Sequence, residues 1–88
     1  MQFTLEIINT KGLHARASAK FVETVERFDA IARVRRDGME VSGDSIMGLM
    51  MLAAGCGSTI EIEVEGAEAE GLAEALRALV SGRFDEAN

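Results

Sequence analysis

The segment Ile60-Glu61-Ile62-Glu63-Val64-Glu65 alternates an apolar residue with a glutamate at every step, a period of two that an extended strand sorts onto opposite faces. One face of such a strand must be buried, and the face with three carboxylates must meet water. The sheet it belongs to is therefore covered on one side. Phe3, Leu5 and Ile7 alternate in the same way with Thr4 and Glu6, so Gln2 to Ile8 reads as a second half-buried strand. A chain of 88 residues has room for one domain, expected to span 1–88. With no Trp, Tyr or Pro, its core has to be built from Leu, Ile, Val, Ala, Met and four Phe. The economical solution is a single layer of helices on a single sheet.

The rest of the chain supplies those helices. From Ala15 the spacing of Phe21, Val22, Val25 and Phe28, with Lys20, Glu23, Glu26 and Arg27 between, is that of an amphipathic helix. Ile31–Arg36 and Met39–Ser42 flank Asp37-Gly38, the signature of a type I′ hairpin. Asp44 and Ser45 offer the side-chain oxygens that start helices, and a short one follows through Ile46 and Leu52 before Gly55-Cys56-Gly57 breaks it. Leu49 and Leu52 are expected in its core-facing side. Glu68 to Ser81 closes the fold, with Leu72, Ala73, Leu76, Leu79 and Val80 on one face and Gly82 at the stop. Arg83 to Asn88 reads as a frayed polar tail. The order is β-α-β-β-α-β-α. A right-handed crossover makes the first two strands parallel, and the last strand fills the gap between them, antiparallel to both. The expected class is α+β, a four-stranded sheet with three helices on one face.

Chemistry is concentrated at Gly12-Leu13-His14-Ala15-Arg16, where the only histidine lies between a glycine turn and a helix start. First-turn N–H groups, here those of Ala15 and Ala17, lack intrahelical partners and carry partial positive charge, so they welcome an anion. Arg16 adds a guanidinium fork suited to phosphate oxygens. A lone histidine is more often structural or simply solvated, yet this one follows a Lys-Gly break instead of sitting in an apolar period. Metal binding is not expected, since a single histidine and a single cysteine make a poor ligand set. Pairing with Cys56 as a nucleophile is disfavoured too, because that residue lies between two glycines with no adjacent base or cation.

The net charge of −6 argues against nucleic acid as a partner. Most of the basic residues precede Asp37, while glutamates dominate after Thr59, a distribution suited to local anions and to protein partners of complementary charge. Arg33 and Arg35 read as part of a solvated face. No apolar run is long enough to cross a membrane, the amino terminus has no signal-peptide pattern, and one cysteine cannot form an internal disulfide, so the cytoplasm is the expected compartment.

Two motifs together carry a family resemblance. Gly12-Leu13-His14-Ala15-Arg16 and Asp44-Ser45-Ile46-Met47-Gly48-Leu49-Met50 resemble the phosphorylation site and the regulatory serine segment of the HPr family, the histidine-containing phosphocarriers of the bacterial phosphotransferase system, and the likeness extends over essentially the whole chain. It implies an open-faced sandwich and a carrier with no catalytic turnover of its own and no cofactor. His14 would accept a phosphoryl group on Nδ1 from phosphorylated enzyme I and pass it to an EIIA component in sugar transport, with Arg16 and the helix start at Ala15 and Ala17 holding the phosphate. Ser45 would be the target of an HPr kinase/phosphorylase. Ile46, Met47, Met50 and Lys20 would dock partners, the protein acting as a monomer. The same residues also fit a regulatory interaction protein of a nitrogen-type or carbon-repression branch. Two departures stand out: Ala17 replaces the proline common after the motif arginine, and Asp44 precedes the serine where a basic residue is common.

Overall fold

A computed structural model describes residues 1–87. Its elements are β1 (Gln2–Glu6), α1 (Ala15–Glu26), β2 (Ile31–Arg36), β3 (Met39–Ser42), α2 (Ile46–Met51), β4 (Thr59–Glu65) and α3 (Ala69–Ser81). The strands form one sheet in the order β1-β4-β2-β3, and every neighbouring pair is antiparallel. β1 and β2 therefore run the same way with β4 between them, as the crossover argument requires. Asp37 (φ 51°) and Gly38 (φ 81°) both take positive φ, which is the type I′ turn expected between β2 and β3.

The register explains why one face is covered. Phe3 pairs with Ile62, Leu5 with Ile60, Ala32 with Val64 and Val34 with Ile62, so the apolar residues of three strands share the side on which the helices pack. Ile60, Ile62, Val64 and Val34 are completely buried there, together with Phe21 of α1, Leu49 of α2 and Leu72, Ala73 and Leu76 of α3. The opposite face pairs charges. Arg35 reaches Glu40 and Glu63 at 2.6 Å each and Glu61 at 3.3 Å, and Arg33 reaches Glu65 at 3.2 Å. These pairs sort register across the strands, but each is partly exposed and worth little stability alone.

Two expectations need correction. β1 ends at Glu6, not Ile8, because beyond it the partner backbone turns: Ile7 is bonded through its N–H to Ser58 and through its carbonyl to Gly57, outside the ladder. Leu79, partly buried at the edge of the α3 face, packs against the core as expected. The tail is not frayed. Arg83, Phe84 and Asp85 form a tight turn with φ of 58°, 53° and 61°, closed by bonds from Asp85 N to Gly82 O and from Glu86 N to Arg83 O, and Phe84 is completely buried. An aromatic ring inside a polar segment supplies the burial that composition alone did not suggest. Asn88, the end of the expected tail, lies outside the described residues.

Candidate functional site

The loop between β1 and α1 is pinned by its backbone. Gly12 has φ +66°, and a Cβ there would lie 2.5 Å from the Ala54 carbonyl oxygen and 2.7 Å from the Gly55 Cα. Only glycine combines that conformation with so close an approach. The next residue, Leu13, donates its N–H to the same Ala54 carbonyl at 2.9 Å and buries its side chain. His14 follows as the residue that begins α1. Its backbone is extended (φ −74°, ψ −179°), and its carbonyl accepts the first helical bond, from Ser18 N at 2.9 Å.

At such a position Ser, Thr, Asp or Asn usually turns a side-chain oxygen onto the first-turn N–H groups. His14 makes no such bond, so the helix start stays open to an external acceptor. The imidazole instead lies with Nε2 2.5 Å from Oε2 of Glu86, the two side chains being 29% and 17% exposed. The other carboxylate oxygen, Oε1, accepts from Asn9 Nδ2 at 3.1 Å, and Asn9 Nδ2 also donates to the Gly12 carbonyl at 2.9 Å. Asn9 is fully buried. The hydrogen bond from His14 is the main influence that holds the Glu86 carboxyl below the usual carboxylate range; partial burial opposes it, while Asn9 and Lys11 add to it.

Around the imidazole a shallow concavity gathers Lys11, Arg16 and Lys20 with Asp85 and Glu86. Among the described residues Arg16 makes no ion pair or hydrogen bond, so its guanidinium is available to an incoming anion. Lys20, expected among the docking residues, keeps its side chain 32% exposed. Its ammonium donates to the Phe84 carbonyl at 2.7 Å and lies 4.0 Å from Asp85, which ties α1 to the tail turn. Ala15 is exposed at the helix start, and Ala17, where a proline is common, packs its methyl fully inside the core.

The second predicted site is separate. Ser45 caps α2, its Oγ accepting from Gly48 N at 2.9 Å, and Asp44 accepts from the Ser42 hydroxyl at 2.6 Å. Leu49 and Leu52 are buried as expected. Ile46, Met47 and Met50 are 40, 71 and 41% exposed, and Met51, not singled out from the sequence, is 64% exposed. Cys56 is exposed, and its thiol donates to the Ile8 carbonyl at 3.7 Å. Sequence reasoning missed Asn9, Phe84 and Glu86. The signal for the last two was a lone phenylalanine in an otherwise charged tail.

Comparison with known proteins bears on the family and the fold. The family model described as PTS HPr component phosphorylation site matches residues 1–82. The phosphocarrier protein HPr of Cupriavidus necator is 45% identical over 86 residues, 98% of this chain and 97% of that protein. HPr of Neisseria meningitidis serogroup A is 48% identical over 83 residues, 94% of this chain and 93% of that protein. A crystal structure of HPr from Thermoanaerobacter tengcongensis superposes with a TM-score of 0.94 at 36% identity, covering 100% of this chain and 99% of the other. The family match and these relatives define the class as a phosphocarrier and not an enzyme. The chain belongs to the HPr family of the phosphotransferase system.

Proposed function

We propose that His14 is the residue that carries the phosphoryl group, accepting it from phosphorylated enzyme I and passing it to an EIIA component. The observation that carries this reading is the imidazole at the start of α1, which leaves the first-turn N–H groups uncapped and has Nε2, not Nδ1, engaged by a neighbour. Attack runs from the Nδ1 lone pair to phosphorus: the Nδ1–P bond forms as the bond between phosphorus and its donor breaks, and the donor keeps that electron pair. Onward transfer reverses the step on His14, with the Nδ1–P electrons returning to the ring. The exposed first-turn N–H of Ala15, fixed by the helix before the charge arrives, and the Arg16 guanidinium receive the phosphoryl oxygens, whereas Ala17, completely buried, is placed too deep to share in this.

The exposed side chains of Ile46, Met47 and Met50 form the surface that meets enzyme I and EIIA. Methionine suits a surface shared by several partners, because its flexible thioether repacks readily. Ser45 is a regulatory phosphorylation site for an HPr kinase/phosphorylase. A phosphate there adds about −1.5 to −2 charge beside that surface and acts on docking more than on the fold. The protein works in the cytoplasm as a monomer and without a cofactor. Incubation with enzyme I and radiolabelled phosphoenolpyruvate is expected to give an acid-labile label on the chain that His14→Ala abolishes. Equal labelling of that variant overturns the assignment.

A further inference from the structure

Resting on the assignment of His14 as the phosphoryl carrier, we propose that Glu86 is a positioning residue for that histidine, fixing the proton on Nε2 so that Nδ1 is presented as an unprotonated nucleophile. An ionised carboxylate accepts hydrogen bonds and cannot donate them. Contact between Oε2 and Nε2 at 2.5 Å therefore assigns the proton to Nε2. In a neutral ring the lone pair is then on Nδ1.

The consequence for the chemistry follows from proton balance. Attack by an unprotonated Nδ1 requires no proton to leave. The ring retains its Nε2 proton and becomes cationic as the Nδ1–P bond forms. Glu86 faces that new charge across the ring from the phosphoryl group and counterbalances it, while its own negative charge stays on the side away from phosphorus. When the group moves on, the electron pair returns to Nδ1 and the neutral tautomer is regenerated without proton exchange. The carboxyl remains ionised throughout the neutral range, being held below the ordinary value of a glutamate mainly by the bond from His14.

Three features of the fold aim the carboxylate. Asn9, fully buried, grips Oε1 with the same amide nitrogen that holds the Gly12 carbonyl, so the loop that positions the imidazole also orients its partner. Phe84 fills the core two residues before Glu86, and Lys20 of α1 holds the Phe84 carbonyl at 2.7 Å. Between them, Arg83, Phe84 and Asp85 are all in the left-handed region. Non-glycine residues rarely adopt it singly, and a run of three persists only when surrounding contacts impose it. A tail with no task beyond closing α3 has no need of such a turn.

The test compares Glu86→Ala and Glu86→Gln with the parent chain. Nitrogen-15 chemical shifts of the His14 ring report the tautomer directly and need no partner protein, and the labelling rate with enzyme I and phosphoenolpyruvate reports transfer. Losing one charge-assisted hydrogen bond is expected to slow labelling about tenfold in Glu86→Ala and to shift the neutral ring away from the Nε2–H form. Glu86→Gln keeps an acceptor oxygen and is expected to retain the tautomer while losing the counter-charge, giving an intermediate rate. Parent tautomer and parent rate in a folded Glu86→Ala overturn the proposal. If the parent chain takes no label, the phosphocarrier assignment of His14 fails instead, and the ring shifts still decide what Glu86 does to the imidazole.

Discussion

The ammonium of Lys20 donates to the carbonyl of Phe84 at 2.7 Å, joining the second turn of α1 to a buried ring that follows α3. This contact stabilises a turn whose left-handed residues each cost roughly 1–2 kcal/mol of backbone strain. Phe84→Ala removes the ring that outweighs the strain, and a loss of about 3 kcal/mol is expected in urea unfolding. Lys20→Met keeps the alkyl stem but not the donor, with an expected loss of about 1 kcal/mol. Both variants are expected to release Glu86 from His14, seen as loss of the contact between their side chains in proton NMR.

Gly12 supports the other side of the site. Its φ of +66° coincides with a position where a Cβ meets the Ala54 carbonyl oxygen at 2.5 Å, so the backbone must move to admit any side chain. Gly12→Ala is expected to destabilise the fold by at least about 2 kcal/mol, the sum of left-handed strain and displaced backbone. It should also slow labelling of His14. Gly38→Ala is the internal comparison: φ is +81°, yet nothing lies within 4 Å of the added methyl. Only the strain, about 1 kcal/mol, is expected there, with labelling unchanged.

The sheet was legible because its two faces differ in kind. Ile60, Ile62 and Val64 against Glu61, Glu63 and Glu65 declare both the strand and the side on which helices lie, and Asp37-Gly38 names its own turn. Local chemistry also gave the Ser45 cap, since the acceptor and the N–H it binds are three residues apart. The partner of His14 was not legible. Glu86 is 72 residues away, and its approach depends on a left-handed turn that no propensity favours, imposed by burial of Phe84. Asn9 reads as a turn residue from sequence, because its second role, on the Glu86 carboxylate, exists only once the tail has docked.

Acid is expected to undock the tail. The folded-state pKa of Glu86 lies below its ordinary value of 4.5, so its contribution is complete above that value and is lost as pH falls through the lower, folded-state one. The charged and polar groups facing it are His14, Asn9 and Lys11. The unfolding midpoint difference between the parent and Glu86→Gln is therefore expected to shrink towards zero as pH falls below 4.5 and through the lower folded-state value. A difference that persists unchanged well below that range contradicts a contribution from the ionised carboxylate.

Ser45 offers a clean separation of stability from docking. Its Oγ satisfies Gly48 N at the start of a helix with only six residues, and Ser45→Ala is expected to lose about 1 kcal/mol in urea unfolding. Ser45→Asp restores an acceptor at the same position and adds a negative charge next to Asp44. It is expected to recover most of the stability while slowing phosphoryl transfer from enzyme I. Loss of transfer in Ser45→Ala at full folded population would assign the hydroxyl a different role.

Met47 is the sharpest probe of the proposed docking face. Its side chain is 71% exposed on a helix whose buried residue is Leu49, so it contributes little to the core. Met47→Lys is expected to change stability by less than about 0.5 kcal/mol. If enzyme I closes over this surface, a buried ammonium without a partner opposes the complex, and transfer is expected to slow about tenfold. Ile31→Lys is the matching control. Ile31 is 56% exposed on the charged outer face of the sheet, opposite Glu65 in register, where a lysine gains a carboxylate neighbour. Slowing by both substitutions would point to a general effect of added positive charge, whereas slowing by Met47→Lys alone locates the encounter on α2.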